Sequence, residues 1–174
     1  MKILVVTQFY WPENFRINDL VEGLDARGHE VTVLTGLPNY PQGRLFDGFT
    51  YLSCGSSMNE KVEVIRVPII PRFSSNKIQL AINYISFVIS ATIYSFFLFT
   101  KKYEVIFTYA PSPLTVALPS IFIKFFKRIP HIIWVQDLWP EVFRAVEAPK
   151  FKLFYSLVEL MIKVIYKGSD LLLV

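Results

Sequence analysis

Short β-branched runs alternate with segments of helical period along this chain, and that alternation confines it to a parallel sheet covered by helices. Lys2–Thr7, Glu30–Thr35, Val62–Val67, Tyr103–Tyr109, His131–Gln136 and the run from Asp170 to Val174 read as strands. They are close to continuous in apolar residues, as strands buried on both faces are. Asn14–Arg27 carries Ile17, Leu20, Val21 and Leu24 at helical spacing and meets a stop at Gly28. Ser112-Pro113 has the order of an N-cap and first turn, and Pro119 should kink or restart the helix it opens. Phe151–Lys167 is amphipathic, with Lys152, Ser156, Glu159, Lys163 and Lys167 opposite Leu153, Leu157, Leu160 and Ile165. Gly36 to Asn59 reads as a long ordered loop. The expected fold is α/β, a Rossmann-like doubly wound parallel sheet spanning 1–174 as one domain.

At 53% hydrophobic residues and a mean hydropathy of +0.41, the chain holds more apolar surface than one core of its length uses. Much of the excess lies in Ile78–Thr100, which is free of charge and long enough to span a bilayer. Gln79, Asn83, Ser86 and Ser90 trace a polar stripe down it, which an uninterrupted span in lipid would rarely carry. A long helix packed on the sheet is expected, its outer face against a membrane or another domain. Charge supports a surface role. Residues 1–50 carry four basic and six acidic side chains, whereas residues 101–174 carry ten basic and six acidic. Basic charge beside apolar surface suits an anionic membrane face. No dense Arg/Lys tract or nucleic-acid-binding motif is present, so a nucleic acid is not an expected partner. The single Cys54 permits no internal disulfide, and the first strand begins at Lys2 with no cleavage site after it. A cytoplasmic protein, peripheral on the inner face of the plasma membrane, is expected.

Ligands in open parallel sheets bind just beyond the carboxyl ends of the strands. The strand His131–Gln136 runs there into Asp137, Trp139 and Glu141, two carboxylates and an indole. The first strand runs into Glu13, Asn14, Phe15 and Arg16, where a helix start and a guanidinium could hold an anion. Capping by Glu13 and Asn14, with Arg16 in solvent, is the bland alternative. The second strand runs into Asn39 and Tyr40, suited to a polyhydroxylated ligand by amide bonding and ring stacking. His29 and His131 fall on the opposite edge and read as structural. No metal-ligand cluster, Ser-His-Asp set or P-loop is visible, and no cofactor is implied. The GxGxxG turn of a dinucleotide-binding enzyme is missing, as is a Tyr/Lys pair at helical spacing.

Four segments in order carry a resemblance. They are the opening Lys2-Ile-Leu-Val-Val to Tyr10-Trp-Pro-Glu-Asn-Phe-Arg-Ile-Asn-Asp-Leu20, then Arg27-Gly-His-Glu-Val-Thr-Val-Leu-Thr35, Gly36-Leu-Pro-Asn-Tyr-Pro41 and Trp134-Val-Gln-Asp-Leu-Trp-Pro-Glu141. Together they resemble the N-terminal half of a family 4 glycosyltransferase of GT-B fold, in the WbuB-type subgroup that builds bacterial capsule and O-antigen units. The resemblance implies retaining, metal-independent transfer of a sugar from a nucleotide-diphosphate donor to a polyprenyl-diphosphate-linked acceptor. It implies that this half presents the lipid-linked acceptor and that a C-terminal donor-binding domain is missing from these residues. Many members have Gly-Gly in the first loop; its absence here makes Arg16 the candidate contact to the donor diphosphate. Gln136-Asp137 matches a frequent His-Asp, so Asp137 is expected nearest the reacting sugar, with Glu141 second. Gln136 can orient a hydroxyl but cannot carry a proton near neutrality. The chain stops inside a strand, which suggests the front part of a longer protein, inactive on its own. The alternative is a non-catalytic subunit of a split transferase that binds a sugar-lipid or a partner.

Overall fold

The computed structural model describes residues 1–59, 62–73, 76–137, 139 and 152–174. Their strands form one seven-stranded sheet. In chain order these are β1 (Lys2–Val6), β2 (Glu30–Gly36), β3 (Gly55–Asn59), β4 (Val62–Val67), β5 (Val105–Ala110), β6 (His131–Val135) and β7 (Leu171–Leu173). In space the order is β3-β4-β2-β1-β5-β6-β7, and every pairing is parallel except β3 with β4. The chain winds outward from β1 to one side and then from β5 to the other, so the strand order reverses between β1 and β5. This is a Rossmann-like doubly wound α/β fold, as the alternation predicts.

The period of two in β1 builds both faces. Ile3 and Val5 point to the side covered by α1 (Arg16–Ala26) and pack with its Ile17 and Val21. Leu4 and Val6 point to the other side, covered by α2 (Lys77–Leu98), α3 (Leu118–Lys127) and α4 (Lys152–Gly168). There they share a core with Phe87, Ala91, Ile123, Ile162 and Ile165. Each of these leucine, isoleucine, valine and phenylalanine side chains, taken wholly out of water, stabilises the fold by about 1.5–3 kcal/mol.

Three local expectations are corrected. The stretch 36–59 contains a 3₁₀ turn at Tyr51–Ser53 and the antiparallel edge strand β3. With the sequence Gly-Ser-Ser-Met-Asn, β3 has no apolar alternation to betray it; Ser57 Oγ donates to the Val64 carbonyl at 3.3 Å and Ser56 Oγ to Glu63 at 2.6 Å. Ser112 caps no helix, since a 3₁₀ turn at Leu114–Ala117 follows Pro113; α3 begins beyond it with Pro119 in its first turn, the restart expected of that proline. Leu157 and Leu160 of α4 are exposed, and its core face is carried by Ile162 and Ile165.

Helix α2 lies packed on the sheet, as its polar stripe suggests. Asn76 caps it by accepting from the Ile78 amide at 3.0 Å. Asn83, Phe87, Ala91, Ser95 and Leu98, at steps of four and three, are buried toward the protein. Gln79, Ser86 and Ser90 lie half-buried on its margins, while Ile78, Ile82, Ile85, Ile89, Ile93, Phe96 and Phe97 face outward, each more than 40% exposed. The polar stripe is therefore turned inward and the apolar face outward. By length and composition α2 could cross a membrane, yet here it lies along the sheet.

Candidate functional site

The loops after β1, β2, β4 and β5 meet at the carboxyl edge of the sheet and enclose a cleft of about 210 Å³ with the first turns of α2. It lies over the point where the strand order reverses. Phe9 and Phe15 come from the loop after β1, Asn39 and Tyr40 from that after β2, and Arg72 from the segment after β4. Asn83 and Tyr84 of α2 and Pro111 and Ser112 after β5 close it.

One wall is aromatic. Phe9 and Phe15 stack with centroids 5.0 Å apart at 10°, and Tyr40 tilts against them at 5.5 and 5.4 Å. The Arg72 guanidinium stands 5.4 Å over the Tyr40 ring, a cation–π contact. Among the described residues no carboxylate lines the cleft and none is paired with Arg72. Its backbone is held by Gly43, whose φ of +70° suits glycine and whose added Cβ would fall 1.7 Å from the Arg72 carbonyl oxygen.

The opposite wall is an amide network. Gln8 Nε2 donates to Asn83 Oδ1 at 2.7 Å, and Asn83 Nδ2 donates to the Ile70 carbonyl at 2.8 Å and to Asn39 Oδ1 at 3.4 Å. Ser86 Oγ accepts from the Ile70 amide at 2.9 Å. These bonds dock the segment after β4 along α2. On its far side lies an apolar groove of about 390 Å³ formed by Ile69, Ile70, Ile82, Ile85 and Ile89 with Tyr51.

Of the residues expected in the site, Phe15, Asn39 and Tyr40 are brought together in the cleft. Glu13 is not a cap and does not face it. Its carboxylate is 2% exposed and accepts from the amides of Asn39 at 2.8 Å, Tyr40 at 2.7 Å and Tyr10 at 3.3 Å. Loss of hydration pushes its pKa up to about 7, against the opposing pull of those three amides and of Arg66. Helix α1 instead starts from Phe15 with no side-chain cap, and Asn18 ties the loop by accepting from the Trp11 amide at 3.1 Å. Asn14 is exposed and outside the lining. Arg16 is exposed too, and its charge acts on Tyr109 rather than on the cleft.

Gln136 and Asp137 follow β6 on the same edge, one strand beyond β5, where the Gln136 amide donates to the Ala110 carbonyl at 3.1 Å. Gln136 is exposed and Asp137 half-buried; neither lines the cleft. Trp139 packs against the core, and its carbonyl accepts from Tyr166 Oη at 3.1 Å. Glu141 lies outside the described residues.

His131 sits at the amino edge of its strand, fully buried between Thr108 Oγ1 at 2.8 Å and Ser169 Oγ at 3.2 Å. Burial pushes it down to about 4, so it is a neutral structural imidazole, as its place in the sequence indicates. Among the described residues no three His, Cys, Asp or Glu side chains gather as metal ligands.

Arg72, Asn83 and Tyr84 are the site residues that sequence reasoning passed over. A signal for Arg72 existed: it follows Pro68-Ile-Ile-Pro71 at the end of a strand, on the edge where ligands bind. Asn83 was visible only as part of a polar stripe. Chemically, stacked rings, side-chain amides and a guanidinium with no carboxylate suit a polyhydroxylated, anionic ligand. No protein-family model and no curated protein matches the chain.

Proposed function

We propose that this domain is the acceptor-side half of a retaining, metal-independent glycosyltransferase. It would move a sugar from a nucleotide-diphosphate donor to a polyprenyl-diphosphate-linked acceptor in bacterial surface polysaccharide synthesis. The observation that carries this is the juxtaposition at the carboxyl edge of the sheet. A cleft with an aromatic wall, a guanidinium and, among the described residues, no carboxylate adjoins an apolar groove across residues 68–72. The acceptor sugar stacks against Phe15 and Tyr40 and bonds to the Asn39–Asn83 amides. Its diphosphate meets Arg72, and the first prenyl units lie in the isoleucine groove.

A donor-binding domain, in the same protein or a partner subunit, faces this edge. The acceptor hydroxyl oxygen bonds to the donor's anomeric carbon as the bond from that carbon to the diphosphate breaks. The nucleoside diphosphate departs and the hydroxyl proton is taken up by an oxygen at the site. Asp137 is the candidate catalytic group beside the reacting sugar, Glu141 the second, with Gln136 orienting a hydroxyl. Arg16, away from the cleft, is free for the donor diphosphate. The outward isoleucine face of α2, with Phe125 and Phe126 and the basic Lys124, Lys127 and Arg128, docks the domain on the anionic inner face of the plasma membrane.

Titration calorimetry with a short-chain prenyl-diphosphate monosaccharide tests this. Binding by the native chain is expected, weakened roughly tenfold or more in Arg72→Ala, since a charge-assisted contact is removed. No binding by the native chain, or equal binding by the variant, overturns the assignment of the cleft.

A further inference from the structure

Among the described residues Glu13 is the one buried carboxylate, and it joins two loops of the cleft. It lies in the loop after β1, and two of the amides it accepts from belong to Asn39 and Tyr40 in the loop after β2. The Tyr40 ring itself meets the Phe9–Phe15 pair by ring contact. The carboxylate thus sets where the Tyr40 ring stands, and with it the cation–π contact to Arg72. A short polar side chain would cap such a loop at lower cost than a carboxylate taken out of water.

The groups acting on Glu13 are few. Arg66 of β4 acts through space, 5% exposed, with Nη2 donating to the Trp11 carbonyl at 2.8 Å and its guanidinium 4.9 Å over Phe49. Arg66 Nη1 is buried without a hydrogen-bond partner among the described residues. Tyr10 is next to it, its phenol pushed up to about 12 by burial, so it stays neutral. Tyr40 and Asn39 contribute their amides, and Arg72 stands over the far side of the Tyr40 ring. Neither Tyr10 nor Arg66 changes charge near neutral pH; Glu13 does.

We infer that Glu13 is a positioning residue of the cleft, holding the Asn39–Tyr40 wall in its ligand-accepting geometry through backbone amides, so that the charge on a group that never touches the ligand sets how firmly the ligand is held. The inference rests on the cleft being the acceptor site proposed above, while the wall itself can be read without any ligand. Ionised, the carboxylate accepts all three amides. Protonated, one oxygen becomes a donor and the weaker acceptor left behind binds Asn39 and Tyr40 less firmly.

The experiment has a ligand-free arm and a binding arm on the full chain. Amide NMR follows Asn39 and Tyr40 with pH in the native protein and in Glu13→Gln. Calorimetry follows the short-chain prenyl-diphosphate monosaccharide, a diester whose own charge is constant near neutrality. We expect both amides to titrate with a midpoint near 7 in the native protein and not in the variant. Affinity should rise severalfold from the acid to the alkaline side of that midpoint. In Glu13→Gln it should be flat, and in Glu13→Ala roughly tenfold weaker than in the native protein at alkaline pH. Static amides in the native protein, or a native pH slope in Glu13→Gln, overturn the inference. If the amides titrate as expected and the probe binds at no pH, the clamp on the wall stands and the acceptor assignment fails.

Discussion

Glu13 and His131 are buried groups that the fold prefers uncharged, and their contributions to stability run in opposite directions with pH. Glu13 titrates near 7 in the folded protein and near 4.3 in an unfolded chain. Its contribution is complete below the unfolded value and is lost as pH rises through 7. His131 titrates near 4 when folded and near 6.5 when unfolded. Its contribution is present above the unfolded value and is lost as pH falls toward 4. Between those limits the two slopes offset each other. We predict that Glu13→Gln, with one slope removed, loses thermal stability on acidification below about 6.5 more steeply than the native protein; melting curves at a series of pH values check this. Neither behaviour was legible in the residues alone. Glu13 could be recognised as belonging to a ligand-edge loop, but the amides that draw it inward belong to residues 26 and 27 positions later. His131 was legible as structural because a strand's first residue lies on the edge away from the site.

Each element carries a face, and period alone cannot say what covers it. In α2 the spacing of Asn83, Phe87, Ala91 and Leu98 defines the stripe against the sheet, and the isoleucines define a second apolar stripe that the protein leaves outward. Both stripes have helical period, so the sequence shows a helix without showing which side is the core. Polar Asn83 is buried because three loops supply amide partners at that point. We predict that Ile85→Glu with Ile89→Glu abolishes sedimentation with anionic vesicles while changing stability by only about 0.5 kcal/mol per site. Phe87→Ala, on the buried opposite face of the helix, should cost about 3–5 kcal/mol. Denaturant melts and vesicle co-sedimentation separate the two, and undiminished vesicle binding by the glutamate variant would contradict membrane docking by this face. The edge strand β3 was invisible for the converse reason: its Ser56 and Ser57 meet polar partners, and its place depends on pairing with β4.

For the whole molecule, the succession of strands and helices was enough to predict a doubly wound sheet and to say which loops would share an edge. Physical reasons make that step dependable: a parallel pair needs a crossover, and crossovers of one hand leave few orders open. Sheet geometry then delivers Phe15, Asn39 and Tyr40 to one cleft. It also explains why Gln136 and Asp137, two strands from β1, stand beside the cleft rather than in it. Arg72 could be read as standing at the ligand edge but not as reaching this cleft, because the segment after β4 gets there by lying along α2 through Asn83 and Ser86. The claim on which the functional proposal depends is that this cleft and groove hold one amphiphilic, sugar-bearing diphosphate. Photo-crosslinking with a prenyl-diphosphate sugar that carries a diazirine in its first isoprene unit, followed by peptide mapping, addresses it directly. We predict labelling of the segment 68–72 and of α2 around Ile82, Ile85 and Ile89, suppressed by unlabelled compound. Labelling scattered over the surface, or concentrated at the opposite edge near Lys124 and Lys167, would contradict it.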